Sequence, residues 1–470
     1  MRKTKIICTL GPAIDDDNLL KEMILNGLDC ARLNFSHGTH EEQLVRINRV
    51  KRIREELNLP IPILLDTKGP EIRIRQFEEG KAELIKGQLF TLKVGNELGN
   101  NEWVCITYPN LYKNISVDTR ILVDDGNIAL DVVELKDTDI VCKVANGGIL
   151  TNNKSINIPN VSIDMPYISE VDKSDILFGI ENDVDFIAAS FVRTPNDIID
   201  LRRLLKENDG QHIQIIAKIE NTSGIENLDA IVELSDGIMI ARGDMGVELP
   251  FKELPIIQKN IIKKCYREGK HVITATQMLE SMTKSPRPTR AEVSDVANAI
   301  YDGSTAIMLS GESAAGKYPI ESVKTMADIA ETTEKVIKYE SRFKKNKLNI
   351  DKDIINAIAT AVCEASYCLN AKAIIAMTKS GRTARIVSNY RPSCPVIAAT
   401  VSERACRQLN LAWNVMPIKA EEKYTTDELL KYGIEKAKES GVVHNDDIIV
   451  ITGTSIIGAK DTDLMTIHRI

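Results

Sequence analysis

The chain lacks the residue patterns that mark metal–thiolate, zinc and membrane proteins. None of its nine cysteines is spaced C-x-x-C, and several (Cys8, Cys30, Cys142) sit inside apolar runs. Thiols scattered in this way read as reduced core residues of a cytoplasmic protein, not as a disulfide framework. The six histidines show no H-x-x-x-H spacing, which argues against zinc. No apolar run approaches the ~20 residues of a membrane span. Met1-Arg2-Lys3-Thr4-Lys5 leads into a short strand pattern, not a signal-peptide core. A net charge of −7 argues against broad nucleic-acid binding, although an anionic substrate needs only a local basic cluster. There is no long internal repeat and no low-complexity tract.

What is present is a series of short apolar runs that end in polar or charged residues. Eight of them lie at 5–9, 27–36, 61–67, 184–192, 213–220, 236–244, 270–277 and 305–312. A parallel strand covered by helices on both faces reads as such a run. Most runs are separated by stretches of helical period, such as Leu44, Ile47, Val50, Ile53 and Leu57. Asn196 is placed to cap a helix over 197–208, and Thr289 one over 290–301. The alternation predicts βαβ units, and chemical groups gathered at one end of the strands point to a (β/α)8 TIM barrel with its site at the C-terminal mouth.

At 470 residues the chain is too long for one core. Residues 71–163 break the pattern with short β segments and turn pairs such as Asp124-Asp125-Gly126, which predicts an inserted all-β domain able to act as a lid. The barrel would then comprise 1–70 and 164–339. A charged, Lys-rich stretch over 340–353 reads as a linker. Beyond it, helices over 354–369 and 426–439 and strands over 373–377, 396–399, 448–451 and 464–467 predict a second α/β domain over 354–470.

Three clusters carry candidate chemistry. Lys218 and Glu220 are two apart on one strand and share a face, and Asp244 ends the next strand after Gly243. They form either a structural ion-pair network or a site in which two carboxylates hold Mg2+ or Mn2+ and Lys218 neutralises a transferring group. Arg32, Asn34, Ser36 and His37 end the second run, and Asp66, Thr67 and Lys68 the third. Their oxygens suit a hard cation or simply cap strand ends. Thr378-Lys379-Ser380-Gly381-Arg382-Thr383 follows a strand and precedes a helix, which fits a phosphate cradle or a hydroxyl-rich helix cap. Gly311-Glu312-Ser313-Ala314-Ala315-Gly316-Lys317 imitates a P-loop, but Tyr318 replaces the required Ser/Thr and Pro319 follows, so it is read as a decoy.

Taken together, these blocks resemble the pyruvate kinase family over essentially the whole chain. Cys8-Thr9-Leu10-Gly11-Pro12, 31–38 (Ala-Arg-Leu-Asn-Phe-Ser-His-Gly) and 65–73 (Leu-Asp-Thr-Lys-Gly-Pro-Glu-Ile-Arg) are similar to its N-terminal signatures. Ala217-Lys218-Ile219-Glu220-Asn221, 241–246 (Ala-Arg-Gly-Asp-Met-Gly) and 275–282 (Ala-Thr-Gln-Met-Leu-Glu-Ser-Met) are similar to its central ones. The resemblance implies a TIM barrel, an inserted β lid and a C-terminal three-layer α/β effector domain, in a cytoplasmic homotetramer. It implies transfer of the phosphoryl group of phosphoenolpyruvate to ADP, giving pyruvate and ATP. It gives Glu220 and Asp244 to Mg2+ or Mn2+, Lys218 to the phosphoryl group in flight, and Gly243, Asp244 and Thr276 to the substrate, with Thr276 also in the proton relay to the enolate. It gives Asn34, Ser36, Asp66 and the Thr67 carbonyl to K+, and Arg32, Arg73, His37, Asn34 and Lys154 to nucleotide and phosphates. Glu71 accompanies K+ dependence in this family.

The resemblance thins at the effector site. The loop 452–460 lacks the Trp and Arg that hold a second sugar phosphate in some members, so a sugar monophosphate, a bisphosphate, a nucleotide or no effector all remain open. No further phosphotransfer-like domain is expected after Ile470. Two rival readings are a metal-dependent 2-oxoacid aldolase or lyase and a sugar-phosphate sensor without catalysis. Lys218 and Lys154 argue against the first, and the intact Lys218–Glu220–Asp244 set against the second.

Overall fold

The structure, a computed structural model, describes residues 2–159, 161, 163–346, 353–423, 425–454 and 462–470. All eight apolar runs form parallel strands: β1 (Lys5–Thr9), β2 (Cys30–Asn34), β3 (Ile63–Asp66), β4 (Phe186–Ala189), β5 (Gln214–Ile219), β6 (Gly237–Ala241), β7 (His271–Ala275) and β8 (Ala306–Leu309). They close into a barrel in chain order, with β1 paired to β8. Alternate residues face opposite ways. Ile7, Cys30, Leu64, Phe186, Ile216, Met239, Ile273 and Met308 fill the interior, while Ile6, Leu33, Leu65, Ile187, Ile215 and Ile240 pack outward with the helices. Both faces are buried, which is why the strands read as unbroken apolar runs.

Helix boundaries follow local capping chemistry. Thr289 caps Arg290–Asp302 as expected, in a box with Glu292. The expected cap at Asn196 is wrong: the helix is Pro195–Glu207, capped by Thr194. Pro195 needs no donor at the first helical position, and Asp197 accepts from the N–H groups of Arg193 at 2.7 Å and Thr194 at 3.0 Å.

Between β3 and β4 lies a seven-stranded sheet with its own apolar core, including Phe90, Leu92, Ile121, Leu130 and Val144. Its first and last strands, Ile72–Arg73 and Ser155–Asn157, pair with each other, so the chain leaves and re-enters the barrel at one place. The stretch read as a linker begins as a helix, Tyr339–Asn346. Its charges line an exposed face, with Lys344 paired to Glu340 at 2.6 Å, while Phe343 is buried against Tyr367 and Tyr390. Residues 347–352 lie outside the described residues.

The C-terminal sheet comprises β9 (Ala373–Met377), β10 (Val396–Thr400), β11 (Val415–Lys419), β12 (Ile448–Gly453) and β13 (Leu464–Arg469), in the order β11-β10-β9-β12-β13 with only β13 antiparallel. Ile374 and Ala376 pack with Val362, Cys363 and Val387 on one face; Ile375 and Met377 pack with Tyr432 and Ala437 on the other. Helices therefore cover both faces in three layers. The sequence reading missed β11, which contains Pro417, and the short helix Glu403–Leu409. Proline is tolerated because β11 is an edge strand.

The C-terminal domain closes the floor of the barrel. Leu411 is fully buried among the interior residues of the strands. Arg407 Nε lies 2.7 Å from Asp185 Oδ1, immediately before β4, and Arg407 Nη2 lies 2.8 Å from Asp183. Lys5 Nζ donates to the Val415 carbonyl at 2.9 Å. At the opposite end, the P-loop imitation forms the short helix Gly311–Ala314. Its buried Glu312 accepts from the N–H groups of Leu279 at 3.0 Å and Ser310 at 2.7 Å, and Ser313 donates to the Thr9 carbonyl at 2.9 Å. The motif ties β1, β7 and β8 together, a structural use. Gly11 is required beneath it, because a Cβ there would sit 2.5 Å from the Ala314 carbonyl oxygen.

Candidate active site

The strand ends converge on Lys218, on β5. Its Nζ lies 3.0 Å from Asp66 Oδ1, 3.0 Å from Glu220 Oε1 and 2.7 Å from Ser190 Oγ. Burial would lower the lysine pKa, but Asp66 and Glu220 outweigh it and raise it, so the ammonium stays charged. Asp66 is also fully buried, which would raise its pKa, yet Arg32 and Lys218 hold it below the ordinary carboxylate range. Arg32 Nε meets Asp66 Oδ2 at 2.7 Å, and Arg32 Nη1 donates to Thr9 Oγ1 at 2.7 Å. The array is thus a chain of alternating charge, Arg32–Asp66–Lys218–Glu220, flanked by the Thr9 and Ser190 hydroxyls.

Glu220 is poised for a cation. Its Oε2 accepts from the Phe191 N–H at 2.6 Å, while its buried Oε1 has Lys218 Nζ at 3.0 Å as its partner. Burial raises its pKa, with Lys218 opposing the rise and Asp244 adding to it. Among the described residues no group of three or more His, Cys, Asp or Glu side chains is arranged around one point. Glu220 and Asp244 would therefore hold a divalent ion as a pair, with substrate and water completing its shell, which suits Mg2+ or Mn2+. Phe191 adopts φ +53°, a strained conformation for an aromatic residue that aims its N–H at Glu220.

Asp244 lies in the first turn of the helix Arg242–Glu248, which starts directly after β6. Gly243 N–H donates to Thr276 Oγ1 at 2.8 Å, and that hydroxyl donates to the Ala275 carbonyl at 2.7 Å. Two substrate groups expected from the sequence are therefore in direct contact. Thr276 and Gln277 both have positive φ, 65° and 53°. Arg242 holds this turn: it donates to the Thr276 carbonyl at 2.7 Å and to Asp295 at 2.6 Å.

The residues expected to hold K+ lie where β2 and β3 end, with Asn34 beside Asp66 in register. Phe35 N–H donates to the Asp66 carbonyl at 3.0 Å, Asn34 Oδ1 accepts from Ser36 N–H at 3.1 Å, and the Thr67 carbonyl accepts from Ser190 Oγ at 2.6 Å. Ser36 and His37 are exposed. An all-oxygen donor set containing one carboxylate fits a hard monovalent cation.

Arg73, given to phosphates by the resemblance, is paired with Glu71. Its Nε and Nη2 both lie 2.8 Å from Glu71 Oε2, and Nη1 donates to the Asn153 carbonyl at 2.6 Å. Burial raises the Glu71 pKa and Arg73 opposes the rise. Lys154, on the inserted domain, pairs with Asp124 at 2.6 Å. Beneath this domain lies a cavity of about 240 Å³ lined in part by Glu71, Ile72, Asn157, Phe191, Arg193 and Glu248.

The distant stretch 378–383 leads from β9 into the helix Arg382–Asn389. Thr378 Oγ1 accepts from Gly381 N–H at 3.1 Å, and the Thr383 and Thr462 hydroxyls meet at 2.6 Å. Lys379 pairs with Glu422 at 2.8 Å, while Ser380 and Arg382 are exposed. Of the loop 452–460, residues 455–460 lie outside the described residues. Four residues of the site are given no role by the sequence: Thr9 and Arg242, seen only as parts of motifs, and Ser190 and Phe191. Ser190 had a visible signal, being the first polar residue after the run Phe186–Ala189.

A closed barrel whose mouth gathers one lysine, two arginines and three carboxylates is a scaffold for transferring an anionic group. Residues 1–323 match the family model described as "Pyruvate kinase, barrel domain", and residues 356–468 match "Pyruvate kinase, alpha/beta domain". The chain is 50% identical over 452 residues to a pyruvate kinase of Clostridium acetobutylicum, covering 96% of each chain. It is 47% identical over 470 residues to one of Bacillus licheniformis, covering 100% of this chain and 80% of the relative. A crystal structure of a pyruvate kinase from Cryptosporidium parvum superimposes with a TM-score of 0.94 at 38% identity, covering 100% of this chain and 96% of that one. The chain belongs to the pyruvate kinase family. It is a glycolytic phosphotransferase converting phosphoenolpyruvate and ADP to pyruvate and ATP, in a family that needs a divalent metal and potassium. No helix among the described residues is long and apolar enough to cross a membrane.

Proposed function

We propose that the mouth of the barrel performs this transfer with Lys218 as the group that neutralises the phosphoryl in flight. The observation carrying this is the position of Lys218 Nζ, within 3.0 Å of Asp66 and Glu220 and 2.7 Å from Ser190. Its carboxylate partners keep it charged, and their own charges are compensated by Arg32 on one side and by a divalent ion at Glu220 and Asp244 on the other. When bound, that ion supplies electrostatic stabilisation for charge developing on the substrate's enol oxygen. Arg32, Lys218 and, once released from Glu71, Arg73 gather the phosphate charges, and such fixed positive charge is most of phosphoryl-transfer catalysis. Gly243 N–H and the Thr276 hydroxyl, now satisfied by each other, turn to the substrate. Thr276 then stands in the relay that returns a proton to the carbon freed of its phosphate.

Asn34, Ser36, Asp66 and the Thr67 carbonyl would hold K+, which would supply a further positive charge beside Arg32. Residues 71–163 act as a lid over the nucleotide, bringing Lys154 and Arg73 toward His37 and Asn34. In the C-terminal domain, 354–470, the loop 378–383 is an allosteric phosphate cradle for a sugar phosphate or nucleotide, within the homotetramer that the family resemblance implies. Nine unpaired cysteines, eight of them buried, support a cytoplasmic location.

The test is Lys218→Met. ATP formation should fall by at least ~1,000-fold, the scale of a main transition-state electrostatic group. Exchange of the pyruvate methyl protons with solvent should survive in the presence of Mn2+. Loss of both activities in a folded variant that still binds Mn2+ would show that Lys218 is not confined to the phosphoryl step.

A further inference from the structure

Ser190 sits at the junction of the lysine and the K+ pocket, and its hydrogen bonding admits few arrangements. An ammonium has only donors, so Ser190 Oγ must accept from Lys218 Nζ at 2.7 Å. One hydroxyl proton is left for two acceptors: the Thr67 carbonyl at 2.6 Å and Asp66 Oδ1 at 3.2 Å. The first is an oxygen of the K+ pocket. The second is the oxygen that pairs with Lys218 at 3.0 Å. Ser190 itself cannot drift. It is 1% exposed, its carbonyl accepts from the Tyr167 hydroxyl at 3.1 Å, and its N–H donates to Thr67 Oγ1 at 3.1 Å. Gly69, at φ +77°, lies so close that a Cβ there would be 2.8 Å from Ser190 Cβ.

We propose that Ser190 is a positioning residue whose hydroxyl relays cation occupancy at Thr67 to Lys218. This rests on the phosphotransfer reading above. A cation that draws on the Thr67 carbonyl makes it a poorer acceptor, so the hydroxyl proton turns to Asp66 Oδ1. That oxygen then shares its electron density between two donors and loosens its hold on Lys218, which frees an N–H for the phosphoryl group. Without a cation the hydroxyl stays on Thr67, and Asp66 retains the lysine. The hydroxyl therefore competes with the cation for Thr67 while making the cation useful to catalysis.

This arrangement gives Ser190→Ala two effects of opposite direction, which a merely structural role would not produce. Loss of the competing donor should tighten K+ binding by about fivefold, the weight of one ordinary hydrogen bond. Turnover at saturating K+ should fall by about tenfold or more, since a misplaced charge costs rate. K+ affinity is read without substrates, from the thermal midpoint in KCl titrations at constant ionic strength with tetramethylammonium chloride. Ser190→Thr, which keeps the hydroxyl, should return both quantities to within about twofold of the parent. Ser190→Cys, a weak donor of similar size, should fall between, and it carries the comparison if threonine is too large to fold. Unchanged or weaker K+ binding in Ser190→Ala, or unchanged turnover, overturns the relay. Failure of the K+ pocket itself is distinguishable, because the parent protein would then show no K+-specific shift.

Discussion

Replacing Arg407 with methionine tests how tightly the C-terminal domain is bolted to the barrel. Asp185 is fully buried, and its Oδ1 faces Arg407 Nε at 2.7 Å while its Oδ2 accepts from Ile63 N–H at 2.9 Å. Methionine fills much the same volume but leaves that carboxylate with one main-chain donor and the more distant charge of Arg54. Breaking a buried pair from one side costs ~3–5 kcal/mol, and Arg54 places this case near the lower end. Burial already raises the Asp185 pKa, with Arg407 opposing the rise, and removing Arg407 raises it further. An acid whose pKa is higher folded than unfolded holds its proton longer in the fold. Stability is then lost as pH rises through that window, and none of the penalty exists below the unfolded value. The variant's loss should thus be largest at pH 8 and smaller at pH 5, by ~1.4 kcal/mol for each unit of additional shift. Adding Asp185→Asn should recover most of it. Urea unfolding at both pH values, followed by far-ultraviolet circular dichroism, gives the midpoints. A loss independent of pH, or one not relieved by Asp185→Asn, would refute the reasoning.

Asp244→Asn should weaken Mn2+ binding and slow turnover by at least ~100-fold, measured by electron paramagnetic resonance titration and a coupled ATP assay; near-normal values would sink the metal pair. Parent activity should require KCl in tetramethylammonium buffer, and Glu71→Lys should make activity less dependent on it while releasing Arg73, at a lower maximal rate; full parent activity without K+ would refute this. Glu248 has its pKa pushed up to about 7 by burial, partly offset by the Thr222 main chain and the Asn157 side chain. Folded Glu248 therefore ionises later than unfolded, and stability falls as pH rises from about 4.5 to about 7. Glu248→Gln should stabilise the protein by up to roughly 3 kcal/mol at pH 8 and by nothing near pH 4, as read from thermal midpoints.

The barrel was legible because its strands are buried on both faces, so that each registers as an apolar run ending in the residues it delivers. Lys218, Glu220, Asp66 and Asn34 were found by that logic alone. Ser190 obeyed the same rule, but a serine after two alanines carries no charge to draw notice. Phe191 was out of reach, since its contribution is a main-chain N–H at positive φ, a property of conformation and not of residue type. Arg73 was assigned to phosphates by resemblance, while its pairing with Glu71 depends on how Ile72–Arg73 leaves the barrel. β11 was hidden by Pro417, acceptable because no strand among the described residues pairs beyond that edge. Phe343 likewise anchors a charged stretch as a helix through one buried side chain that no local pattern discloses.

Leu411 has a consequence for the newborn chain. The last barrel strand ends at Leu309, yet the side chain that seals the interior from below leaves the ribosome only with residue 411. At ~5–20 residues per second this interval lasts roughly 5 to 20 seconds. During it, the interior cluster that includes Ile7, Cys30, Leu64, Met239 and Met308 lacks one of its members. The nascent protein passes through that window with the underside of its barrel uncapped, between the completion of the catalytic strands and the arrival of their stopper, a stage at which exposed apolar surface invites misassembly.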